Sequence, residues 1–398
     1  MTDLTPPSRE ARRARGAVAA LFLTNGALFA NLIPRFPEIK ADLGLDNAAY
    51  GVAIAAFPAG AILAGLAAAS LIRRFGSGRT TVAGTILTAA GTVVAGFSPT
   101  LLAFAAALLV AGATDAIADV AQNTHGLRVQ RRFGRSIINS FHAIWSIGAV
   151  LGGSMAAGAI ALGVPRSTHL LISGALFSVV SLVALRFCLP GKDDESEPGA
   201  APAVRGRVTA RVGFVLAALV AVAIAGTLVE DAASTWAAVY LNGDLGATAA
   251  VAAYGFVALV GAQFVGRIFG DRLVDRFGQR TVVRVGGAIT AVGMGAALLF
   301  PSVPGTILGF AAAGFGLATT VPAAMHEADE IPGLRAGTGV TLVSWLMRLG
   351  FLLSPPIVGL VADGAGLRVG LLVVPIAGVV AVVLAGVLSA RRHEGSAS

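Results

Sequence analysis

Asp115, Asp119, Gln122 and Asn123 stand close together in a stretch otherwise built of Ala, Val and Ile. At 100° per residue they fall within an arc of about 100°, so a helix here carries one polar face on an apolar body. Carboxyls flanked by amides can load and release protons and can hydrogen-bond a polar ligand. Three further stretches repeat the pattern. Thr227, Glu230, Asp231 and Ser234 share one helical face, as do Asn139, His142 and Ser146, and again Thr341, Ser344, Trp345 and Arg348. Asn25 and Asn31 add two amides near the start of the chain. Ionisable side chains surrounded by hydrocarbon cost several kcal/mol unless paired or wetted, so each marks a functional position by default.

Each also has a plainer role. Asp115 can serve as a hydrogen bond between helices, and Asp119 has Asn123 one turn on. Glu230 and Asp231 are adjacent, and neighbouring carboxylates repel at low dielectric, so one is expected to hold a proton or to face a base. His142 suits a proton relay or an interhelical bond equally well. Arg348 is the one base expected in the middle of an apolar stretch. It either pairs with an internal acid, with Glu230 and Asp231 the favoured partners, or anchors an anionic solute. Trp145 and Trp345 offer rings for stacking, whereas Trp236 is expected to anchor at a membrane surface. Gly148, Gly152, Gly153 and Gly158 are expected to let helices approach closely.

The elements that position these residues follow from composition. The 398-residue chain is 56% hydrophobic and only 13% charged, about half the charge of a soluble domain. Its charges cluster between apolar stretches long enough to cross the ~30 Å hydrocarbon layer as helices. Alternating strand patterns are absent, which argues against a membrane barrel. Twelve spans are expected, at roughly 16–34, 47–72, 79–97, 100–124, 137–162, 167–189, 211–240, 248–269, 281–300, 303–325, 337–361 and 366–390. The first follows arginines as a signal peptide would, but it is too long for one and is read as a retained helix. The single Cys188 forms no intrachain disulfide.

Lys and Arg set the orientation. With the N-terminus inside, 24 of the 29 fall in cytoplasmic segments, and only Arg35, Lys40, Arg166 and Arg368 lie outside. This accounts for the net charge of +8 without nucleic acid; the basic partner is the bilayer. The polar break 190–210 is a linker rich in Pro, Gly and mixed charge. It separates two six-span halves, 16–189 and 211–390, flanked by cytoplasmic tails at 1–15 and 391–398. Sliding one half by 202 residues superimposes Gly278 on Gly76, Phe277 on Phe75 and Arg276 on Arg74. Parallel six-helix repeats are the pattern of secondary transporters.

The turn Gly270, Asp275, Arg276, Gly278, Arg280 between the second and third spans of the second half resembles the signature of the major facilitator superfamily, and the likeness extends over essentially the whole chain. It implies an all-helical membrane protein of twelve spans with both termini in the cytoplasm. It also implies that Asp275 faces the start of the fifth span, near Ile137, and steadies it through the helix dipole, locking one conformation. The first-half copy departs from the signature, because Arg73 stands where the family has Asp. Arg73 or Arg74, beside Gly76, is expected instead to meet the acidic loop of Glu327, Asp329 and Glu330. The acidic fourth and seventh spans and the Asn-bearing first span resemble the fucose-permease-like sugar/proton symporters. The fourth-span Arg and fifth-span Gly-Pro pair usual in the family's drug antiporters are missing.

No nucleotide-binding GxxxxGK[ST] loop, GxSxG elbow or Cys/His metal cluster is present. The chain is therefore read as no enzyme, with no cofactor and no metal site. The expectation is a monomeric, multi-pass protein of a bacterial cytoplasmic membrane that moves a small polar solute with protons. Proton-coupled efflux of amphipathic compounds and a non-transporting sensor or lipid-handling role are the alternatives.

Overall fold

The computed structural model describes residues 8–133, 137–191, 210–331, 334 and 338–389. Most of the linker, residues 1–7 of the first tail and the tail 391–398 lie outside the described residues. Among those described, twelve helices are long and apolar enough to cross a membrane. In chain order they are Arg9–Asp42, Asn47–Ala64, Ser77–Phe97, Leu101–Phe133, Ser140–Ala161, Arg166–Leu185, Ala210–Gly243, Ala249–Phe277, Gln279–Leu299, Val303–Asp329, Thr338–Ala365 and Leu367–Val387, here called spans one to twelve. They form two compact units. One holds Met1–Ser196 with Thr248–Val257, and the other Glu197–Ala247 with Ala258–Ser398.

Span one runs further than expected. Its helix Arg9–Leu32 passes through a short 3-10 turn, Ile33–Arg35, into a second helix, Phe36–Asp42. Pro34 fits because it stands in the first turn, where a backbone N–H has no intrahelical partner. Helix starts are capped by side-chain oxygens in the usual way: Ser8 accepts from the Ala11 amide at 3.1 Å and Asp46 from Ala49 at 2.7 Å. Span eleven is interrupted at Met347, between helices Thr338–Leu346 and Arg348–Ala365.

The 202-residue repeat is visible in the backbone. Gly76 and Gly278, which precede spans three and nine, have φ/ψ of 84°/151° and 79°/153°. This region is essentially closed to residues with a Cβ. The chain can turn there between two helices only because both residues are glycine.

The repeat also fastens the end of the sixth span of each unit. A helix leaves its last carbonyls and the following amides without internal partners. In the first unit His125 Nε2 accepts from the Leu189 amide at 3.2 Å, its Nδ1 lies 2.7 Å from Ser77 Oγ, and Arg128 donates to the carbonyls of Pro190 and Gly191. In the second unit Glu327 Oε2 accepts from the Ser389 amide at 2.9 Å. Arg280 donates through Nε to the Leu388 carbonyl at 3.0 Å. His125 and Glu327 are themselves 202 residues apart. An acceptor at one place in the fourth span thus does the same work in both units.

Gly76→Ala is expected to lower stability by about 1–3 kcal/mol, the cost of forcing a Cβ into this region of φ/ψ. Thermal unfolding of the detergent-solubilised protein checks it; an unchanged midpoint would show that the turn can relax.

Candidate functional site

The site in the first unit is built on a close crossing of spans one and five. A Cβ on Gly148 would overlap the Leu23 carbonyl, and one on Gly152 the Ala27 carbonyl. Gly26 likewise meets the Trp145 carbonyl. Gly158, by contrast, faces open space. With the backbones in contact, Trp145 Nε1 donates to Asn25 Oδ1 at 2.8 Å, and Asn25 Nδ2 donates to Asp115 Oδ1 at 2.7 Å. The indole N–H can only donate and an ionised carboxylate can only accept, so both ends of the Asn25 amide are assigned. Asn25 is 8% exposed. Spans one, four and five are tied by this chain of three side chains.

One turn along span four, Asp119 Oδ1 accepts from Gln122 Nε2 and Asn123 Nδ2, both at 3.1 Å. The expected polar face thus holds two hydrogen-bonded groups, one turn apart. Asp115 and Asp119 are half-buried, and two carboxylates at this spacing repel when both are ionised. Ser146 is buried, and its Oγ donates to the His142 carbonyl at 3.2 Å. His142 is exposed, its ring edge-on to Phe22 with centroids 5.3 Å apart. The side chain of Asn139 lies outside the described residues.

Asn31 is placed elsewhere. Its Nδ2 donates to the Ala27 carbonyl at 2.8 Å and its Oδ1 lies 2.9 Å from His169 Nε2. Arg35, 5% exposed, reaches His169 Nδ1 at 3.5 Å, the Val164 carbonyl at 2.7 Å and Glu38 at 3.1 Å. Asn31 is therefore spent in a structural network far along span one from its first turn. The pairing of His169 with Asn31 was not visible in the sequence, because the two are 138 residues apart.

In the second unit Glu230 Oε2 accepts from Gln263 Nε2 at 2.9 Å, and Arg267 Nη2 stands 3.9 Å from the same oxygen. Both partners come from span eight, and the base is not the expected Arg348. Among the described residues no acid lies within ion-pair distance of Arg348, which opens the second segment of span eleven. The interruption before it is held by Thr227, whose Oγ1 donates to the Met347 carbonyl at 2.9 Å. Asp231 is 7% exposed and accepts weakly from Thr235 Oγ1 at 3.4 Å. Its Oδ2 and the Oγ of neighbouring Ser354 are buried without a hydrogen bond of ordinary geometry. Ser234 Oγ donates to the Glu230 carbonyl at 2.8 Å. Thr341 and Trp345 are exposed and Ser344 is half-buried. Trp236 is fully buried rather than a surface anchor.

The signature residues have local partners. Arg73 Nη2 donates to Ser70 Oγ at 3.1 Å, and Arg74 and Arg276 lie over the rings of Phe75 and Phe277. Gly270 packs on Thr319, and Asp275 is exposed. The amides of Ile137 and Ile138, at the start of span five, donate to Gln130 Oε1 at 2.8 and 3.1 Å. Of the acids expected to meet Arg73 or Arg74, Glu327 takes the Ser389 amide and Glu330 lies 3.7 Å from His326. No group of three metal-ligating side chains occurs among the described residues.

Twelve apolar helices in two repeated sets, with acids inside the spans, define a polytopic membrane transporter. The family model of the Major Facilitator Superfamily matches residues 18–273 and 234–398, and the chain belongs to that family. It is 30% identical to Membrane protein MosC of Rhizobium meliloti over 383 residues, covering 95% of this chain and 91% of that one. It is 27% identical to an MFS-type transporter of Yersinia pestis over 87% of this chain and 88% of that one. Among solved structures, a bacterial homologue of the human lysosomal transporter Spinster superposes with a TM-score of 0.75 at 17% identity, covering 95% and 97% of the two chains. The nucleoside transporter NupG gives 0.72 at 13% identity, covering 95% and 98%. A D-xylose-proton symporter gives 0.70 at 15% identity, covering 94% and 96%. These likenesses fix the fold; transporters of this family are not enzymes.

The pairing of Glu230 generates a contrast. Arg267→Leu is expected to lower stability by up to about 1 kcal/mol, as for a partly exposed ion pair. Arg348→Leu, which strands no acid, is expected to leave the unfolding midpoint unchanged. The reverse order in a thermal scan would return Arg348 to the pairing role.

Proposed function

We propose that this transporter moves a small polar solute of the sugar or polyol class through a bacterial cytoplasmic membrane by alternating access, driven by proton symport. The observation that carries the reading is a pair of hydrogen-bonded groups one turn apart on span four, Trp145–Asn25–Asp115 and Asp119 with Gln122 and Asn123. It combines amides that suit hydroxyl groups, an indole edge and two carboxyls one turn apart. The nucleoside transporter and the D-xylose-proton symporter that share the fold are named for polar solutes, which supports this class. Arg348 is a second solute contact, suited to an oxygen-rich or anionic group. Asp231, buried with one oxygen unbonded, is a second position where a proton can reside.

The efflux alternative is less favoured because these groups are amide- and acid-rich rather than aromatic. Reconstituted protein with an imposed proton gradient distinguishes the readings. Wild type is expected to accumulate a sugar or polyol above its outside concentration and to bring protons in with it. Asp119→Asn and Asp115→Asn are each expected to lower the accumulation ratio to one while leaving solute exchange measurable. Gradient-driven extrusion of an amphipathic dye would favour the antiporter, and no coupled flux at all would favour a sensor.

Asp275 is proposed as the conformational lock, steadying the start of span five in one state by roughly 0.3–1 kcal/mol. In the structure the Ile137 and Ile138 amides are held by Gln130, so Asp275 would act on a helix end that already has a cap. Asp275→Asn is expected to raise modification of a cysteine introduced at Ser344 by a water-soluble reagent. Unchanged labelling would reduce the motif to a membrane-surface anchor.

A further inference from the structure

Each unit carries an apolar groove with an arginine against one of its lining rings, and the two grooves are copies. The first, about 320 Å³, lies where helix Ala68–Phe75, span three and span four meet, with Phe75, Gly84 and Leu87 in its wall. The second, about 340 Å³, lies among spans eight, nine and ten, with Phe277, Gly286 and Ile289 in its wall. Each of the nine residues lining the first has its counterpart 202 positions later lining the second. Gly84 and Gly286 explain the floor. A Cβ on either would collide with the fourth span of its half, at Ala118 and at the Gly316 carbonyl. The helices touch at that level.

The arginines repeat as well. Arg74 stands over the Phe75 ring, with its guanidinium carbon 5.3 Å from the centroid, and Arg276 stands over Phe277 at 5.4 Å. Those rings are themselves 50% and 47% exposed. In a soluble protein such rings would be a liability; in a bilayer they face acyl chains. Arg79 lines the first groove and is exposed, whereas Thr281 takes its place in the second.

We infer that each groove seats an acyl chain of an anionic phospholipid, with its phosphate on the arginine against the lining ring. The chemistry is complementary at both ends: hydrocarbon against an open apolar trough, and a phosphate against a guanidinium already fixed on an aromatic face. A neutral helix or peptide would leave the arginines unmatched. A soluble anion would leave the trough uncovered. With two basic residues, Arg74 and Arg79, the first groove is the more selective of the pair.

Native mass spectrometry of the full-length protein, with phosphatidylglycerol or phosphatidylcholine added to the detergent, tests the assignment. Wild type is expected to retain up to two phosphatidylglycerol molecules, several-fold more than phosphatidylcholine. Replacing Arg74, Arg79 and Arg276 with Gln is expected to bring phosphatidylglycerol down to the phosphatidylcholine level. Ala83→Phe with Val285→Phe fills both grooves from exposed positions and is expected to reduce retention of both lipids. Equal retention of the two lipids by wild type overturns the proposal. So does phosphatidylglycerol retention that survives both the arginine and the groove-filling variants, which would mean lipid held elsewhere on the surface.

Discussion

The contact on which the first unit's chemistry depends is backbone against backbone, where span five crosses span one. Inside a bilayer, burying apolar surface between helices gains little, because lipid tails are as apolar as leucine. Association rests on close packing and on bonds between polar groups. Gly148 and Gly152 supply the first by letting span five lie directly on the carbonyls of Leu23 and Ala27. The second follows from it: only at that separation does the Trp145 indole reach Asn25, and Asn25 in turn reach Asp115 across to span four. A larger residue at either glycine would push the indole away and leave two polar groups in hydrocarbon without partners.

The same crossing occurs in the second unit with its chemistry exchanged. Gly350, 202 residues after Gly148, packs on Thr227, which is 202 residues after Asn25. Thr227 bonds the carbonyl of Met347, the counterpart of Trp145. The scaffold position is the same, but an amide-to-indole bond has become a hydroxyl-to-backbone bond across a helix interruption. The acids do not repeat. Leu317 and Val321 stand where the first half has Asp115 and Asp119, and Glu230 and Asp231 stand where it has Leu28 and Phe29. Packing residues were kept in duplicate, whereas these four acids occur in one copy only.

That division also explains what could be read in advance. Twelve spans, the repeat interval and the polar face of span four were legible because each is periodic or local: apolar length, a 202-residue slide, and neighbours within one turn. The Asn25–Asp115 bond was legible only as two polar faces, since 90 residues separate the partners. Partner choice was not legible where several acids faced a single expected base. Arg348 appeared the natural partner of Glu230 because it stood alone in its span, yet Arg267 and Gln263 of span eight are the ones in reach. Asn31 appeared equivalent to Asn25 because both are asparagines of span one. Six residues rotate a helix by 600°, which sets their side chains 120° apart, and Asn31 accordingly meets His169. Trp236 looked like a surface anchor from its place near a span end, and tertiary packing buried it.

The partners of the acids bear on which of them can change charge. Glu230 faces a guanidinium, so protonating it would forfeit that ion pair. Asp115 faces a neutral amide. Ionised, it accepts the Asn25 Nδ2–H; protonated, its carbonyl oxygen still accepts the same bond, and the proton occupies the other oxygen. The bond geometry survives both states, and so does the tie from Asn25 to Trp145. A carboxyl whose donors are neutral amides can hold either charge without stranding a buried counter-ion, which one facing a fixed counter-charge cannot. Span four sets neutral amides at Gln122 and Asn123 beside Asp119 and Asn25 opposite Asp115, whereas Glu230 has the Arg267 guanidinium 3.9 Å away.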